Sequence, residues 1–196
     1  MKEIIFATKN KGKLIEIQHI LGDNFIVKSM EDIDINIDIL EDGKTFEENA
    51  IKKAVEIMKL TNKPVLADDS GLEIDYLNGE PGVYSARYLG EDTPYVIKNN
   101  KILEKLDGVG EDKRTARFVS VVALAMPNEK PILTKGTIEG IIGYALKGEN
   151  GFGYDPIFYI PSLNKTSAEL SLEEKNKISH RGQALKEMKK ILNEKM

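Results

Sequence analysis

Two hydrophobic periods alternate along this chain, and that alternation restricts it to interleaved strands and helices. Residues 4–7 form a short apolar run that stops at the polar loop Thr8-Lys9-Asn10-Lys11-Gly12-Lys13. Leu14, Ile17, Ile20 and Leu21 then recur at the spacing of one helix face. Residues 25–27 read as a second strand. From 32 to 39, polar residues alternate with Ile33, Ile35, Ile37 and Ile39, the period of a half-buried extended segment. Thr45-Phe46-Glu47-Glu48 is a capping box that opens a helix running to about Leu60. Residues 64–67 predict a buried strand ending abruptly in Asp68-Asp69-Ser70-Gly71. A helix starts near Pro94 and stops before Gly108, and strands follow over 117–126, 132–142 and 157–160. Ser171-Leu172-Glu173-Glu174 repeats the capping signal ahead of a terminal helix carrying Ala184, Leu185, Met188, Ile191 and Leu192. Strands interleaved with helices make an α/β fold. No repeat, low-complexity stretch or Pro/Ser linker interrupts it, so residues 1–196 are read as one domain.

Composition narrows the function. With 41% apolar residues among 196, the chain can bury a sizeable core. Its 28 basic and 32 acidic residues leave a net charge of −4, a poor match to a long nucleic-acid backbone. The absence of cysteine removes disulfides, thiolate nucleophiles and sulfur-ligated zinc. His19 and His180 are the only histidines, so metal chemistry must use oxygen ligands, which suit magnesium, manganese or calcium. The first apolar run is too short for a signal peptide and no segment approaches a membrane span, so a cytoplasmic protein is expected.

Several patches carry chemical potential. A strand emptying into Asp68-Asp69-Ser70-Gly71 would set acids at the carboxyl end of a sheet, where α/β ligands bind. Adjacent side chains point to opposite sides there, so one of the two faces a pocket; the competing reading is an ordinary Asx-type turn. Asp32, Asp34 and Asn36 fall at calcium-loop positions, but Ile37 stands where glycine is required and Gly43 where glutamate is required, so that reading fails. Glu41-Asp42-Gly43 is either a magnesium ligand site or a polar turn. Thr8 to Lys13, between strand and helix, has backbone N–H groups suited to phosphate, although it is no Walker loop and its lysines fit a solvated face equally. Gly151-Phe152-Gly153-Tyr154-Asp155 offers a stacking platform or simply core aromatics beside a turn. Ser179-His180-Arg181 opens the last helix, where arginine can meet an anion. No Ser/His/Asp triad can be assembled.

Taken in order, these motifs resemble the inosine triphosphate pyrophosphatase family. The matching segments are Thr8-x-Asn10-x-x-Lys13, Glu41-Asp42-Gly43-x-Thr45-Phe46-x-Glu48-Asn49-Ala50, Ala67-Asp68-Asp69-Ser70-Gly71-Leu72 and Pro81-Gly82-Val83-Tyr84-Ser85-Ala86-Arg87-Tyr88. Phe152-Gly153-Tyr154-Asp155-Pro156 and Glu174-Lys175-x-x-Ile178-Ser179-His180-Arg181-Gly182 complete the set, which spans about Phe6 to Leu185. One departure is Asn150-Gly151 before Phe152, where some members carry two glycines; asparagine tolerates left-handed backbone, so the expected consequence is confined to the loop's mobility.

The resemblance implies an elongated α/β fold with a central mixed sheet, flanking helices and a nucleotide cleft between two lobes, usually as a homodimer. It implies hydrolysis of nonstandard purine triphosphates (ITP, dITP, XTP) to monophosphate and pyrophosphate with Mg²⁺, cleansing the nucleotide pool. Glu41 and Asp69 would hold the metal, with Asp69 the proton acceptor. Thr8, Lys9, Asn10, Lys11, Gly12, Lys13, Lys53 and Ser70 would bind the triphosphate. Phe152 would stack on the purine, with Gly153, Tyr154, Asp155, Lys175, His180 and Arg181 at the base and sugar end. A pyrophosphatase for modified pyrimidine triphosphates would keep the metal residues and change the base pocket. A silent nucleotide sensor would lack an intact Glu41/Asp69 pair, and a structural or RNA-binding module would need a continuous basic surface.

Overall fold

The structure is a computed structural model describing residues 2–196. Among the described residues, seven strands build one sheet: β1 (Lys2–Phe6), β2 (Phe25–Lys28), β3 (Val65–Ile74), β4 (Thr115–Ala125), β5 (Ile132–Ile142), β6 (Phe158–Ile160) and β7 (Lys165–Thr166). Their spatial order is β2-β1-β3-β4-β5-β6-β7. β1 pairs in parallel with both β2 and β3, with Ile5 opposite Val65 and Phe6 opposite Leu66. β5/β6 and β6/β7 are antiparallel, so the sheet is mixed. The flanking helices are α1 (Lys11–Leu21), α2 (Phe46–Thr61), α3 (Tyr95–Lys105), α4 (Leu172–Ile178) and α5 (His180–Lys195).

The chain divides into two compact units. The first takes in residues up to Asp69, Ser120–Gly136 and His180–Met196; the second comprises Ser70–Val119 and Thr137–Ser179. In the first, Ile4 and Phe6 of β1, Leu66 of β3 and Val122 and Leu124 of β4 pack with Ile17 and Leu21 of α1 and Leu185, Met188 and Leu192 of α5. In the second, Leu72, Ile74, Phe118, Ile142 and Phe158 pack with Ile102 of α3. Burying a leucine or isoleucine side chain contributes ~1.5–3 kcal/mol, so each unit carries its own driving force.

Three expectations change. The strand expected to end at Ala67 runs without interruption through Asp68-Asp69-Ser70-Gly71 to Ile74, which sets the acids mid-strand rather than at a sheet's carboxyl end. Aspartate disfavours strands, but buried basic and amide partners on each side override that preference. The Thr8–Lys13 loop is shorter than expected, because Asn10 already caps α1 by accepting the Lys13 N–H at 3.1 Å. Residues 32–39 join no strand. Glu31–Ile33 is a 3₁₀ turn, Asp34 is left-handed, and Ile37 is exposed. The last helix opens at Ser179-His180 as expected, because Ser179 takes extended backbone between α4 and α5.

Candidate active site

In the first unit, β3 separates two polar clusters by its side-chain alternation. Asp68 shares a face with Leu66 and meets helices α1 and α5. Its Oδ1 accepts from Lys13 Nζ at 3.0 Å and its Oδ2 from Arg181 Nε at 3.3 Å. Arg181 Nη1 also donates to Glu16, a buried acid one turn along α1 from Lys13. Burial depresses the Lys13 ammonium although Asp68 pulls it upward. For Arg181, burial opposes the charge but Asp68 and Glu16 outweigh it, so its affinity for its proton rises.

Asp69 points to α2. Its Oδ2 accepts from Asn49 Nδ2 at 2.9 Å, and its Oδ1 lies 3.9 Å from Lys53 Nζ, which donates to Glu41 Oε1 at 2.5 Å. Asn49 and Lys53 are four apart on α2 and therefore share a face. Asn49 also accepts the Gly43 N–H at 2.8 Å, so one amide ties the Glu41–Gly43 turn to Asp69. A Cβ on Gly43 would come within 2.5 Å of that amide oxygen, which explains the glycine by close approach. Thr45 accepts from Glu48 N, but the Glu48 carboxylate accepts from Lys44 N rather than closing the expected reciprocal box.

Burial pushes the Asp69 carboxyl up to about 6; Glu41 adds to this, while Lys53, Asn49 and Lys13 pull it back. For Lys53, burial is outweighed by Asp69, Glu41 and Asp68, which raise its pKa. Two acids therefore face the Lys53 ammonium. Among the described residues no three His, Cys, Asp or Glu side chains converge as a complete metal cage. Two carboxylates converging on a cation nevertheless suit magnesium, which takes one or two protein carboxylates and fills its remaining positions with water and phosphate.

The other phosphate-side residues are dispersed. Thr8 Oγ1 accepts the Asn10 N–H at 3.1 Å, and Lys9 is turned toward Asp38 and Asn36, at 2.6 and 3.3 Å. Lys11 and Gly12 lie in the first turn of α1, Lys11 exposed. His180 is buried at the start of α5, where Gly136 of β5 lets the helix approach: a Cβ on Gly136 would lie 2.1 Å from the His180 carbonyl.

In the second unit, Ser70 is half-buried in β3. Gly151–Asp155 forms a tight loop. Asp155 Oδ2 accepts the Phe152 N–H at 2.8 Å and Lys175 Nζ at 2.7 Å, and that ammonium lies 4.8 Å from the centre of the half-buried Phe152 ring. Gly151 has φ +73, and a Cβ there would sit 2.2 Å from Asp155 Oδ2. Asn150 fixes the loop's entry, its N–H reaching Ala168 O and its side chain Leu170 O. It is an anchor, and the left-handed backbone belongs to Gly151. Tyr154 is a core residue whose hydroxyl donates to Ser85 O at 2.7 Å.

Sequence reasoning missed Asn49, Asp68 and Glu16 as members of these clusters. The signal for Asn49 is a buried amide one turn before Lys53; for Asp68 it is the two-residue step from Leu66; for Glu16 it is an acid one turn after Lys13 on α1.

The sequence model of the Ham1 family matches residues 4–191. The chain is similar to the dITP/XTP pyrophosphatase of Shouchella clausii, 51% identical over 98% of this chain and 97% of that one. It is similar to the dITP/XTP pyrophosphatase of Bacillus subtilis strain 168, 50% identical over 98% of each. The solved structure of the Staphylococcus aureus Ham1 protein superposes with a TM-score of 0.88 at 44% identity, covering 100% of both chains.

Proposed function

The chain belongs to the Ham1 family, and from that premise we propose that it hydrolyses nonstandard purine nucleoside triphosphates (ITP, dITP and XTP) to the monophosphate and pyrophosphate. The observation that carries this reading is the Glu41–Lys53–Asp69 arrangement, with a buried carboxyl pushed up to about 6. Glu41 and Asp69 would hold Mg²⁺, which when bound neutralises phosphate charge and polarises the anhydride. Asp69 accepts the proton of the attacking water. Its raised proton affinity makes it a stronger base than an ordinary aspartate while leaving it mostly ionised at neutral pH.

Lys13 and Lys53 set positive charge against the triphosphate, with Thr8 to Lys13 and Ser70 contributing donors. Phe152 stacks on the purine, and Gly153, Tyr154, Asp155, Lys175 and His180 shape the base and sugar end. Arg181, oriented by Asp68 and Glu16, supplies a donor to the purine 6-oxygen. Adenine presents an amine at that position, and two facing donors leave buried groups unpaired, a mismatch worth up to ~10⁴-fold in sites built on hydrogen bonds. No helix among the described residues is long and apolar enough to cross a membrane. The reading extends to one functional domain acting as a homodimer in the cytoplasm, tested by light scattering and cell fractionation.

A magnesium-dependent panel over ITP, XTP, dITP, GTP, ATP and dTTP, with pyrophosphate and phosphate assayed separately, decides the proposal. Pyrophosphate release and preference for the deaminated purines are expected. Release of single phosphate, or equal rates on ATP and ITP, would refute it.

A further inference from the structure

Helix α3 presents Tyr95, Lys98, Asn99 and Ile102 on its buried face. Ile102 joins the apolar core, but Asn99 is 1% exposed and polar where helical spacing calls for a hydrophobic residue. Its Nδ2 donates to the Gly153 carbonyl at 3.0 Å, while its Oδ1 has no hydrogen-bond partner among the described residues. Leucine has nearly the same shape and would fill the position without the orphaned Oδ1, giving up only the donor to the Gly153 carbonyl. Evolution of a stable fold alone does not favour half-satisfied amides at such positions. What the asparagine secures is one carbonyl, that of the residue following Phe152.

The surroundings point the same way. Gly151 and Gly153 both have left-handed backbone, φ +73 and +69, a conformation that regular structure does not propagate. On the Gly151 side, the loop is held by Asp155 and Lys175. On the other side it is held by α3. Besides the Asn99 amide, Tyr95 stands edge-on to Tyr154 at 5.3 Å between ring centres. Lys98, buried and 4.8 Å from the Tyr95 ring centre, donates to the Ala86 carbonyl at 2.5 Å, beside the Ser85 carbonyl that receives the Tyr154 hydroxyl. Phe152 thus lies between two clamps. A ring fixed before the ligand arrives costs less ordering on binding.

We propose that Asn99 is a positioning residue for base recognition: its amide holds the Gly153 carbonyl and thereby sets Phe152 as a preformed stacking platform for the purine. The inference rests on the proposed stacking role of Phe152. It predicts an effect on base affinity and none on the hydrolytic step, because Asn99 touches neither the acids nor the lysines of the phosphate-side clusters.

The test compares Asn99→Leu, Asn99→Ser, Phe152→Ala and the Asn99→Leu/Phe152→Ala double variant, using ITP kinetics and inhibition by magnesium tripolyphosphate, which has no base. Asn99→Ser, shorter and without added bulk, serves if the leucine variant folds poorly. Each Asn99 variant is expected to raise KM for ITP about tenfold, the scale of one lost hydrogen bond. Turnover should stay within about twofold and tripolyphosphate inhibition should be unchanged. The leucine should add no further rise in KM on top of Phe152→Ala, since it acts through that ring. Native KM in the Asn99 variants, a joint change in KM, kcat and tripolyphosphate inhibition, or additivity with Phe152→Ala would overturn the inference. Native KM in Phe152→Ala alone would instead overturn the stacking reading beneath it.

Discussion

Replacing Asp69 by asparagine keeps the shape of the side chain and lets its carbonyl accept from Asn49, but removes a buried negative charge. The carboxyl binds its proton more tightly in the folded chain, rising from the ordinary 3.8 to about 6, with burial the main cause. Its contribution to stability is therefore complete below about pH 3.8 and is lost as the pH climbs to about 6. Each tenfold in proton affinity is worth ~1.4 kcal/mol, so ionised Asp69 costs the metal-free fold about 3 kcal/mol at pH 7 and above. That figure already includes its attraction to Lys53. Urea unfolding in EDTA, followed by circular dichroism from pH 4 to pH 8, should show Asp69→Asn more stable than the parent by about 3 kcal/mol at pH 8. The two should converge near pH 4. For a chain of this size the gain corresponds to a thermal midpoint higher by ~6–12 °C, while turnover of ITP is abolished. A variant equally or less stable at pH 8, or a gap that ignores pH, would refute the claim that Asp69 is held ionised against its surroundings.

Two further outcomes follow from the same geometry. Glu41→Gln should lose the stabilisation that magnesium gives the parent protein, ~1.4 kcal/mol at a metal concentration tenfold above Kd, read as a vanished rise in thermal midpoint when MgCl₂ is added. Gly136→Ala should destabilise by ~1–3 kcal/mol or more, because its Cβ would lie 2.1 Å from the His180 carbonyl and 2.8 Å from Ala184 N; the urea midpoint measures it, and an unchanged value would mean that the first turn of α5 yields without cost.

Elements with a strong period were readable from sequence alone. Strand β5 matches its expected span of 132–142, and α2 begins where Thr45 caps it. The errors share a physical cause. Asp68-Asp69-Ser70-Gly71 has the local chemistry of a turn, and only the distant partners Lys13, Arg181, Asn49 and Lys53 keep it extended. Residues 32–39 have the two-residue period of a strand, yet no neighbouring strand pairs with them. Glu41, Lys53 and Asp69 were each picked out, but their shared ammonium depends on a turn folding back onto α2, a tertiary event that spacing does not encode. Asn99 left no local trace, since its role rests on a carbonyl 54 residues away.

The adjacency of Asp68 and Asp69 also bears on how the chain finds its native pairing. Strand β3 could slide by one residue against β1 with little change in backbone hydrogen bonding. A slip in one direction would bring Asp69 to Lys13 and Arg181 and leave Lys53 and Asn49 facing Ser70; the opposite slip would give Lys53 and Asn49 Asp68 and leave Lys13 and Arg181 facing Ala67. Either would also turn Leu66 out of the core it fills. Misalignment is therefore penalised by charge and by apolar burial at once, and the two acids that serve the site act as a lock on the ladder that carries them.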